Sequence, residues 1–563
     1  MKHKKILAIL LCACMALSAC GTNAASSAPA ASSPEELSST RAEASAAPEA
    51  PTEVPAEAPA ASAEDAQSGS LFVDVALPLT DTTETLTMWW GGFDGGNFGN
   101  DTPGATMISQ AAQEATNVEI EYSFCSGMDF IEQTALMFAS DDWPDMIKGP
   151  SMYTGGLSAG VEEGVFLELT DDMAAYSPNY YSRITANEDL YKQVVTDEGY
   201  LVKYYSIYDQ PARQNTGLIV RSDYLNQLDM DAPVTYDDWT NMLSAFQTEL
   251  SLQNPFNLGS DALEEMLMAG YGVTDGWFQM DGTVYYAPVE EGYREYLSML
   301  KDWYDQGFIS QNFMNETVSD DRLNNIYEGN FGAYVDDYGS ITSFKVLSDD
   351  PSFESQAVQA PVKSASDTTH FYSGGALVDN MENGGIALST SCRNVELCMR
   401  WVDFFYSKEG SLIFSYGVEG ESYVDNGDGT YSYTELITNN PDGWGITFAR
   451  LIYLDGCAGT GLYWTDRDLI DLDQGSLDAE TIWSTNSDDA YVLPQFDLNG
   501  DDASTFSNIM SDIETYVDEM TLKFITGAES LDDYDSFVSS VESMDLSTAA
   551  ALQQDGLDRY NQR

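Results

Sequence analysis

From residue 85 onward the chain alternates strand-like and helix-like segments, and this alternation constrains the fold more than any other feature. Apolar runs and period-two alternation indicate strands, whereas apolar residues at helical spacing indicate helices. A strand–helix–strand–helix–strand order predicts a parallel sheet with helices on its faces. The segments are, in chain order, 86–90, 103–116, 118–122, 130–140 and 145–147.

A glycine-rich segment, 91–99, follows the first predicted strand. Ligands of parallel sheets collect at the carboxyl ends of the strands, where this segment is expected to lie. It contains neither a GxGxxG pattern nor a P-loop lysine, and Asp94 would repel phosphate. The segment is therefore either a lip that carries Phe93 and Phe98 towards a ligand or a plain connecting loop.

The chain carries a strong excess of acid, with 23 Lys+Arg against 92 Asp+Glu and a formal net charge of -69. Such a charge repels phosphate backbones and anionic lipid headgroups, so nucleic-acid binding is excluded. The acidity is explained by solubility in a salty or acidic medium, or by a preference for cationic ligands. Of the 2 histidines, His3 lies in the amino-terminal segment, so no histidine triad, zinc site or cofactor is expected.

The amino terminus has the features of an export signal. Lys2, Lys4 and Lys5 precede an apolar run over 6–16, and a Leu-Ser-Ala-Cys tetrapeptide ends at Cys20. The apolar run is too short to span a bilayer. The tetrapeptide resembles the lipobox of bacterial lipoproteins. That resemblance implies a signal peptide over 1–19, cleavage before Cys20, acylation (palmitate) there, and a lipid-anchored protein on the outer face of the cytoplasmic membrane.

A segment rich in Ala, Ser, Pro and Glu follows Cys20 and extends to about residue 70. It contains too few large apolar side chains to offset the entropy of ordering, which predicts a disordered linker over 20–75. A flexible segment of roughly 50 residues has a root-mean-square reach of about 40 Å. The sequence thus predicts a lipid, a linker and a globular body.

Four cysteines remain after the signal and the lipobox: Cys125, Cys392, Cys398 and Cys457. Their spacings do not indicate a metal site. Cys392 and Cys398 flank a predicted helix start, and a separation of six residues is expected to place them on different faces. An exported protein could form one disulfide among the four, or keep them as isolated core thiols.

Several motifs are spread in order from about residue 85 to 560. One of them is Phe138-Ala-Ser-Asp-Asp-Trp-Pro-Asp-Met-Ile147. The other segments are 218–228, 233–239, 281–285, 293–309, 327–334, 400–410, 416–420, 524–527 and 558–560. Together these motifs resemble the extracellular solute-binding proteins of ABC importers, in the family that also contains maltose-binding protein.

The resemblance implies an α/β fold of two periplasmic-binding-protein-like (type II) lobes, with mixed sheets flanked by helices and a multi-strand hinge. It implies that lobe 1 comprises 80–209 and about 378–420, and that lobe 2 comprises 213–377 and about 421–563. Such a protein is not an enzyme. It closes over a solute, here an oligosaccharide or related carbohydrate, and delivers it to the permease subunits of an ABC transporter; we expect a monomer without cofactor.

Sugar recognition needs flat aromatic faces and a few in-plane polar groups in a concave pocket. Aromatic residues at loop positions are therefore candidates, while those at helical spacing are expected in the core. The family resemblance places Tyr208, Asp337, Tyr338 and Tyr372 near lobe crossings or ligand contacts. The complete candidate set is Trp89, Trp90, Phe93, Asp94, Tyr208, Trp277, Phe278, Asp337, Tyr338, Tyr372, Trp444 and Trp464.

Two other functions remain open at this point. The acidity is compatible with a receptor for peptides or cationic solutes. A glycoside hydrolase needs only two carboxyl groups about 5 to 9 Å apart, which so acidic a chain could supply. The motifs in register argue against the hydrolase.

Overall fold

A computed structural model describes residues 71–92, 102–125, 130–258, 265–315, 320–379, 384–441, 446–454, 459–470, 472–498 and 500–563. The predicted signal peptide, Cys20 and nearly all of the linker lie outside the described residues, as do Phe93, Asp94, Trp444 and Cys457. Among the described residues, none of the helices combines the length and the apolar character needed to cross a bilayer.

The first sheet confirms the prediction from the strand–helix alternation. Its five described strands lie in the order Val118–Phe124, Glu84–Trp90, Met146–Lys148, Ile386–Leu388 and Lys203–Tyr204. The first three run parallel to one another, whereas Ile386–Leu388 runs antiparallel to both of its neighbours. The helix Met107–Thr116 joins the first two strands in sequence and is capped by the Thr106 side chain, which accepts from Ser109 N.

Asp145 fixes the strand Met146–Lys148 to its surroundings. Its carboxylate accepts from Thr87 N at 2.8 Å and Thr87 Oγ1 at 2.7 Å. Arg393 donates to it through its backbone N at 3.0 Å and through a guanidinium nitrogen at 2.9 Å. Burial alone would raise the pKa of Asp145, but these hydrogen bonds outweigh it and lower the pKa to about 2.

The second sheet is mixed. Its four described strands lie in the order Gln356–Ala357, Thr216–Val220, Ala333–Asp337 and Phe256–Asn257. Ala333–Asp337 runs antiparallel to Thr216–Val220 and parallel to Phe256–Asn257. The carboxyl ends of Ala333–Asp337 and Phe256–Asn257 therefore lie at the same edge.

The helix Tyr236–Glu249 shows how local sequence sets the packing of the second sheet. Thr235 and Asp238 form a capping box at its start. Trp239 then lies fully buried and stacks on Trp303, with ring centroids 6.3 Å apart. Trp239 is thus a packing anchor between this helix and the helix Glu291–Asp305.

Three described segments run side by side at points where the chain passes between elements packed on the first sheet and elements packed on the second. Ile207–Tyr208 pairs in parallel with Leu462–Tyr463. On its other side, Tyr208 N donates to Leu377 O at 3.0 Å. These segments, about 205–212, 375–379 and 461–465, are called the hinge segments below.

Each sheet has its own hydrophobic core, and the residues that form the two cores are divided differently from the expected lobe boundaries. Tyr423, Tyr433 and Leu462 contribute to the core of the first sheet, although the expected boundary assigned 421–563 to lobe 2. Phe72 and Val75 pack against the same core, so the folded body begins before the expected residue 80 and inside the expected linker. We propose that lobe 1 comprises about 72–209 and 378–463, and that lobe 2 comprises about 213–377 and 474–563.

The spacing argument for Cys392 and Cys398 was wrong. Their sulfur atoms lie 3.3 Å apart, because Cys392 lies in the turn before the helix Val395–Phe404 and not on the helix itself. Both are free thiols, as is Cys125.

The described helices associated with the first sheet are Met107–Thr116, Phe130–Phe138, Gly156–Glu162, Thr170–Tyr176, Pro178–Ala186, Glu188–Val194, Val395–Phe404, Lys408–Tyr416, Glu435–Thr438 and Ile446–Leu454. Those associated with the second sheet are Ser222–Leu228, Tyr236–Glu249, Glu265–Ala269, Glu291–Asp305, Asp320–Tyr327, Tyr338–Leu347, Gln474–Trp483, Gly500–Thr526, Tyr534–Val541 and Ser547–Tyr560. The short hairpins are Trp277–Met280 with Thr283–Tyr286, and Tyr423–Asp425 with Tyr431–Tyr433.

Candidate functional site

Polar and aromatic side chains converge where the hinge segments meet the edge of the second sheet. The strand Ala333–Asp337 ends there, and Tyr338 N donates to Asn215 O at 3.0 Å. Burial, and after it the charge of Asp468, raises the pKa of the Tyr338 hydroxyl, so Tyr338 lies within electrostatic reach of that carboxylate. We call Tyr208, Tyr338, Arg450, Tyr463, Arg467 and Asp468 the hinge cluster.

Five members of the hinge cluster, all except Tyr338, are joined by direct contacts. The rings of Tyr208 and Tyr463 meet edge to face, with centroids 5.7 Å apart. The Tyr463 hydroxyl donates to Asp468, whose Oδ2 lies at 2.8 Å, and Arg450 pairs with the same carboxylate. Arg467 places its guanidinium carbon 4.5 Å from the centroid of the Tyr463 ring. All six side chains are half-buried, so their exposed parts remain accessible to a solute.

The tyrosines of the hinge cluster are neutral over the physiological range. Burial, followed by the carboxylates of Asp379 and Asp468, raises the pKa of Tyr208 above its ordinary value. Burial and Asp468 do the same to the pKa of Tyr338. For Tyr463, burial and Asp468 raise the pKa to about 12, although Arg467 opposes the shift. The hydroxyls of Tyr208 and Tyr338 therefore remain able both to donate and to accept a hydrogen bond, whereas Tyr463 already donates its proton to Asp468 and can only accept from a ligand.

A second polar group lies at the edge formed by the strands Ala333–Asp337 and Phe256–Asn257. Arg322 Nε donates to Asn257 Oδ1 at 2.7 Å, and its two other nitrogens donate to Asp336 Oδ2 at 3.0 Å and Val335 O at 2.7 Å. In the described structure the buried Nδ2 of Asn257 has no hydrogen-bond partner. This amide is thus an uncommitted donor close to the edge where ligands of such sheets bind.

Asp337 and Tyr338 are adjacent in sequence but have different roles. Asp337 caps the helix Tyr338–Leu347 by accepting from Ser340 N at 3.1 Å. Burial and the neighbouring carboxyl of Asp336 raise the pKa of Asp337 well above its ordinary value. Tyr338, in contrast, joins the hinge cluster.

Tyr372 lies in a separate polar group on the second-lobe side of the hinge. Its hydroxyl donates to Glu480 at 3.3 Å, and Arg213 pairs with the same carboxylate at 2.5 Å. Burial and Glu480 raise the pKa of Tyr372. The structure therefore brings Tyr208 and Tyr338 into the hinge cluster, while Tyr372 contributes to a neighbouring ion pair.

At the carboxyl edge of the first sheet, Trp89 and Trp90 are both largely buried. Trp89 Nε1 donates to Thr134 Oγ1 at 3.2 Å. Trp90 lies beneath Lys148, whose Nζ is 4.5 Å from the ring centroid. Lys148 covers a face of Trp90, and Trp89 is buried with its ring nitrogen bonded, so in this structure both tryptophans mainly support the edge.

Three other candidate aromatic residues have packing roles. Phe278 is 1% exposed and lies in the core of the second sheet, and Trp277 packs against Tyr286 at 4.8 Å. Both belong to a hairpin whose side chains fill that core. Trp464 stacks on Phe72 at 6.5 Å, and Lys408 Nζ lies 4.2 Å from the Trp464 ring centroid and 5.8 Å from that of Phe72, so Phe72 and Lys408 cover one face of Trp464.

Sequence reasoning missed Tyr463, Arg450 and Asp468. Tyr463 and Trp464 are neighbours at the end of a strand, where successive side chains point to opposite faces; the sequence analysis names Trp464, and the structure places Tyr463 in the hinge cluster. Arg450 interrupts the otherwise apolar helix Ile446–Leu454. A lone arginine in such a helix indicates a buried partner of opposite charge, and this signal identifies it.

Comparisons with known proteins identify the family and the fold. The model of the family described as "Bacterial extracellular solute-binding protein" matches residues 72–411. The fructooligosaccharide ABC transporter substrate-binding protein FusA of Streptococcus pneumoniae serotype 4 is 23% identical over 348 residues, which cover 58% of this chain and 62% of the relative. The chain matches less than two thirds of the length of each of the curated relatives compared, between 62% and 66%.

Solved structures show the same fold. An HMO-binding solute-binding protein from Bifidobacterium longum infantis has a TM-score of 0.71 at 17% identity, covering 85% of this chain and 99% of that one. The alginate-binding protein AlgQ2 has a TM-score of 0.69 at 18% identity, with the same coverage. These likenesses confirm the predicted two-lobe α/β fold with mixed sheets flanked by helices.

Proposed function

Because this chain belongs to the bacterial extracellular solute-binding proteins, we propose that it captures an oligosaccharide or related carbohydrate between its lobes and delivers it to the permease subunits of an ABC importer. The hinge cluster carries this proposal. It combines half-buried aromatic rings with hydroxyl, carboxylate and guanidinium groups at the junction of the two lobes. Sugar binding requires this combination, because ring C–H surfaces pack on aromatic faces while hydroxyls bond to polar groups in plane.

The contacts suggest how capture works. Tyr208 and Tyr463 lie on hinge segments, whereas Tyr338 lies at the end of a second-lobe strand. A sugar that contacts both sets stabilises the arrangement in which they are close together. Binding then shifts an equilibrium between open and closed lobes, and the solute leaves chemically unchanged.

We further propose that the protein is a monomer attached to the outer face of the cytoplasmic membrane by lipid on Cys20. The lipobox-like tetrapeptide and the preceding basic and apolar segments support this location. Attachment through several acyl chains is stable, at about 0.8 kcal/mol per buried CH₂.

The test is calorimetric titration of the purified full-length protein with oligosaccharides of different composition and with basic peptides. A sugar should bind with one-to-one stoichiometry and without product formation. Replacing Tyr338 by Phe should then weaken binding by about 1 kcal/mol, because one hydrogen bond is lost. Tyr516→Phe removes the same group from a half-buried residue of the second lobe and serves as the matched control.

The alternatives give different results in the same experiment. Steady appearance of shorter glycans identifies a hydrolase. Binding of basic peptides but no sugar, with a strong decrease at high salt, identifies a receptor for cationic solutes.

A further inference from the structure

We infer that the oligosaccharide is uncharged, and that acidic sugars such as uronates are disfavoured. This inference rests on the proposed function and specifies the ligand class of the same site. It follows from how the protein uses its own arginines. Those at the hinge and at the adjoining sheet edge are already bound to protein carboxylates.

Asp468 engages the cations of the hinge cluster. Arg450 pairs with it directly, whereas Arg467 Nε lies 3.7 Å from its Oδ1, at ion-pair but not hydrogen-bond distance, and the Nε atoms of both arginines have no hydrogen-bond partner among the described residues. The Tyr463 hydroxyl donates to it as well. A ligand carboxylate would have to displace Asp468, which would leave a partly buried carboxylate without its partners.

The two neighbouring arginines are similarly committed. Arg322 directs three nitrogens to Asn257, Asp336 and Val335, and the side chains of Arg322 and Asp336 are only 11% and 14% exposed. Arg213 pairs with Glu480. Planar guanidinium groups are the protein groups best suited to a two-bond grip on a carboxylate, and here that capacity serves the protein itself.

The electrostatic potential at the tyrosines of the hinge cluster also disfavours an anionic ligand. Burial is the largest cause that raises the pKa of Tyr208, and the carboxylates of Asp379 and Asp468 raise it further. Burial and Asp468 raise the pKa of Tyr338 in the same way. A neutral sugar hydroxyl can donate to these carboxylates. An anionic group would be repelled by them, and the excess of acid over the whole chain adds to that repulsion.

Lysines at the first-sheet edge do not reverse this argument. Lys148 lies over the Trp90 ring, and Lys203 is buried, lies over Tyr205 and donates to Ser151 at 3.1 Å. Their ammonium groups are thus engaged with rings and a hydroxyl. They belong to the opposite sheet and do not contribute to the hinge cluster.

The wild-type test compares neutral oligosaccharides (fructo-, malto- and xylo-oligosaccharides) with oligogalacturonides of the same length, by calorimetry at low and high salt. The preferred ligand should be neutral, its affinity should change by less than about twofold with salt, and any oligogalacturonide should bind at least about tenfold more weakly. An oligogalacturonide that binds more tightly than every neutral sugar overturns the inference and leaves the proposed function intact. Binding of basic peptides without any sugar overturns both.

A gain-of-binding variant gives a second, independent readout. Asp468→Asn removes the carboxylate that occupies Arg450 and Arg467, so it should shift the preference towards oligogalacturonides by about tenfold. Asp466→Asn removes the same charge from an exposed neighbouring position and is the matched control. Circular dichroism establishes that both variants are folded. Equal shifts in the two variants, or no shift in a folded Asp468→Asn protein, contradict the inference.

Discussion

The environment of Asp145 allows a quantitative prediction of stability against pH. Its side chain is 1% exposed and binds Thr87 and Arg393 through four short hydrogen bonds. These bonds join two strands of the first sheet to the turn before the helix Val395–Phe404. Replacing Asp145 by Asn removes the charge and brings an NH₂ group against these donors.

The size of the effect follows from the pKa. The pKa of Asp145 falls from an ordinary value of 3.8 to about 2. At about 1.4 kcal/mol per pKa unit, the charged form contributes roughly 2 kcal/mol to folding at neutral pH. Arg393 is 67% exposed, so solvent screens its attraction for the Asp145 carboxylate. The contribution of the charged form to folding is therefore expected to be no more than about 2 kcal/mol. Because the folded-state pKa is the lower one, the contribution is present above about pH 4 and is lost as pH falls through about 2.

The assay is urea unfolding of wild type and Asp145→Asn at several pH values. At pH 7 the variant should be less stable by about 2 kcal/mol, and the difference should shrink steadily as pH decreases from about 4 to about 2. Asp142→Asn, three residues away and exposed, should change stability little and serves as the control. A difference that stays constant with pH, or a variant as stable as the control, would refute the reasoning.

Two further predictions concern packing and the contact between lobes. Trp303→Ala should reduce the stability of the second lobe by about 3 to 5 kcal/mol in urea unfolding, because Trp303 is fully buried against Trp239. Tyr304→Ala, at the adjacent half-buried position, should reduce stability by less and is the control. Asp197→Asn should increase amide hydrogen exchange in the helix Ser547–Tyr560. The reason is that the largely buried Asp197 of the first lobe pairs with Arg559 at 2.6 Å and with Arg563 at 2.7 Å. Unchanged exchange would show that these ion pairs do not stabilise the helix.

Local patterns were sufficient for the first sheet. Its early strands are three to seven residues long and are joined by helices, so their periodicity is visible in the sequence. Phe256–Asn257 and Gln356–Ala357 contain two residues each, which is too short for any period to appear. The family resemblance, and not periodicity, predicted the second lobe.

The site was harder to predict because its members depend on distant partners. Phe278 resembles an exposed aromatic next to a turn, yet it packs edge-on against Phe371, with centroids 5.6 Å apart. Trp464 is covered by Phe72, which lies at the other end of the first lobe in sequence. Tyr208 and Tyr338 are candidates because the resemblance places a lobe crossing near Tyr208 and ligand contacts near Tyr338.

The central claim is that a sugar binds against the hinge cluster between two lobes. A crystal structure of the full-length protein with its preferred oligosaccharide tests this most directly. We predict a sugar ring in contact with Tyr338 and Tyr208 and a sugar hydroxyl donating to the Asp468 carboxylate. A ligand bound on an outer face, with the hinge cluster filled only by solvent, would contradict it.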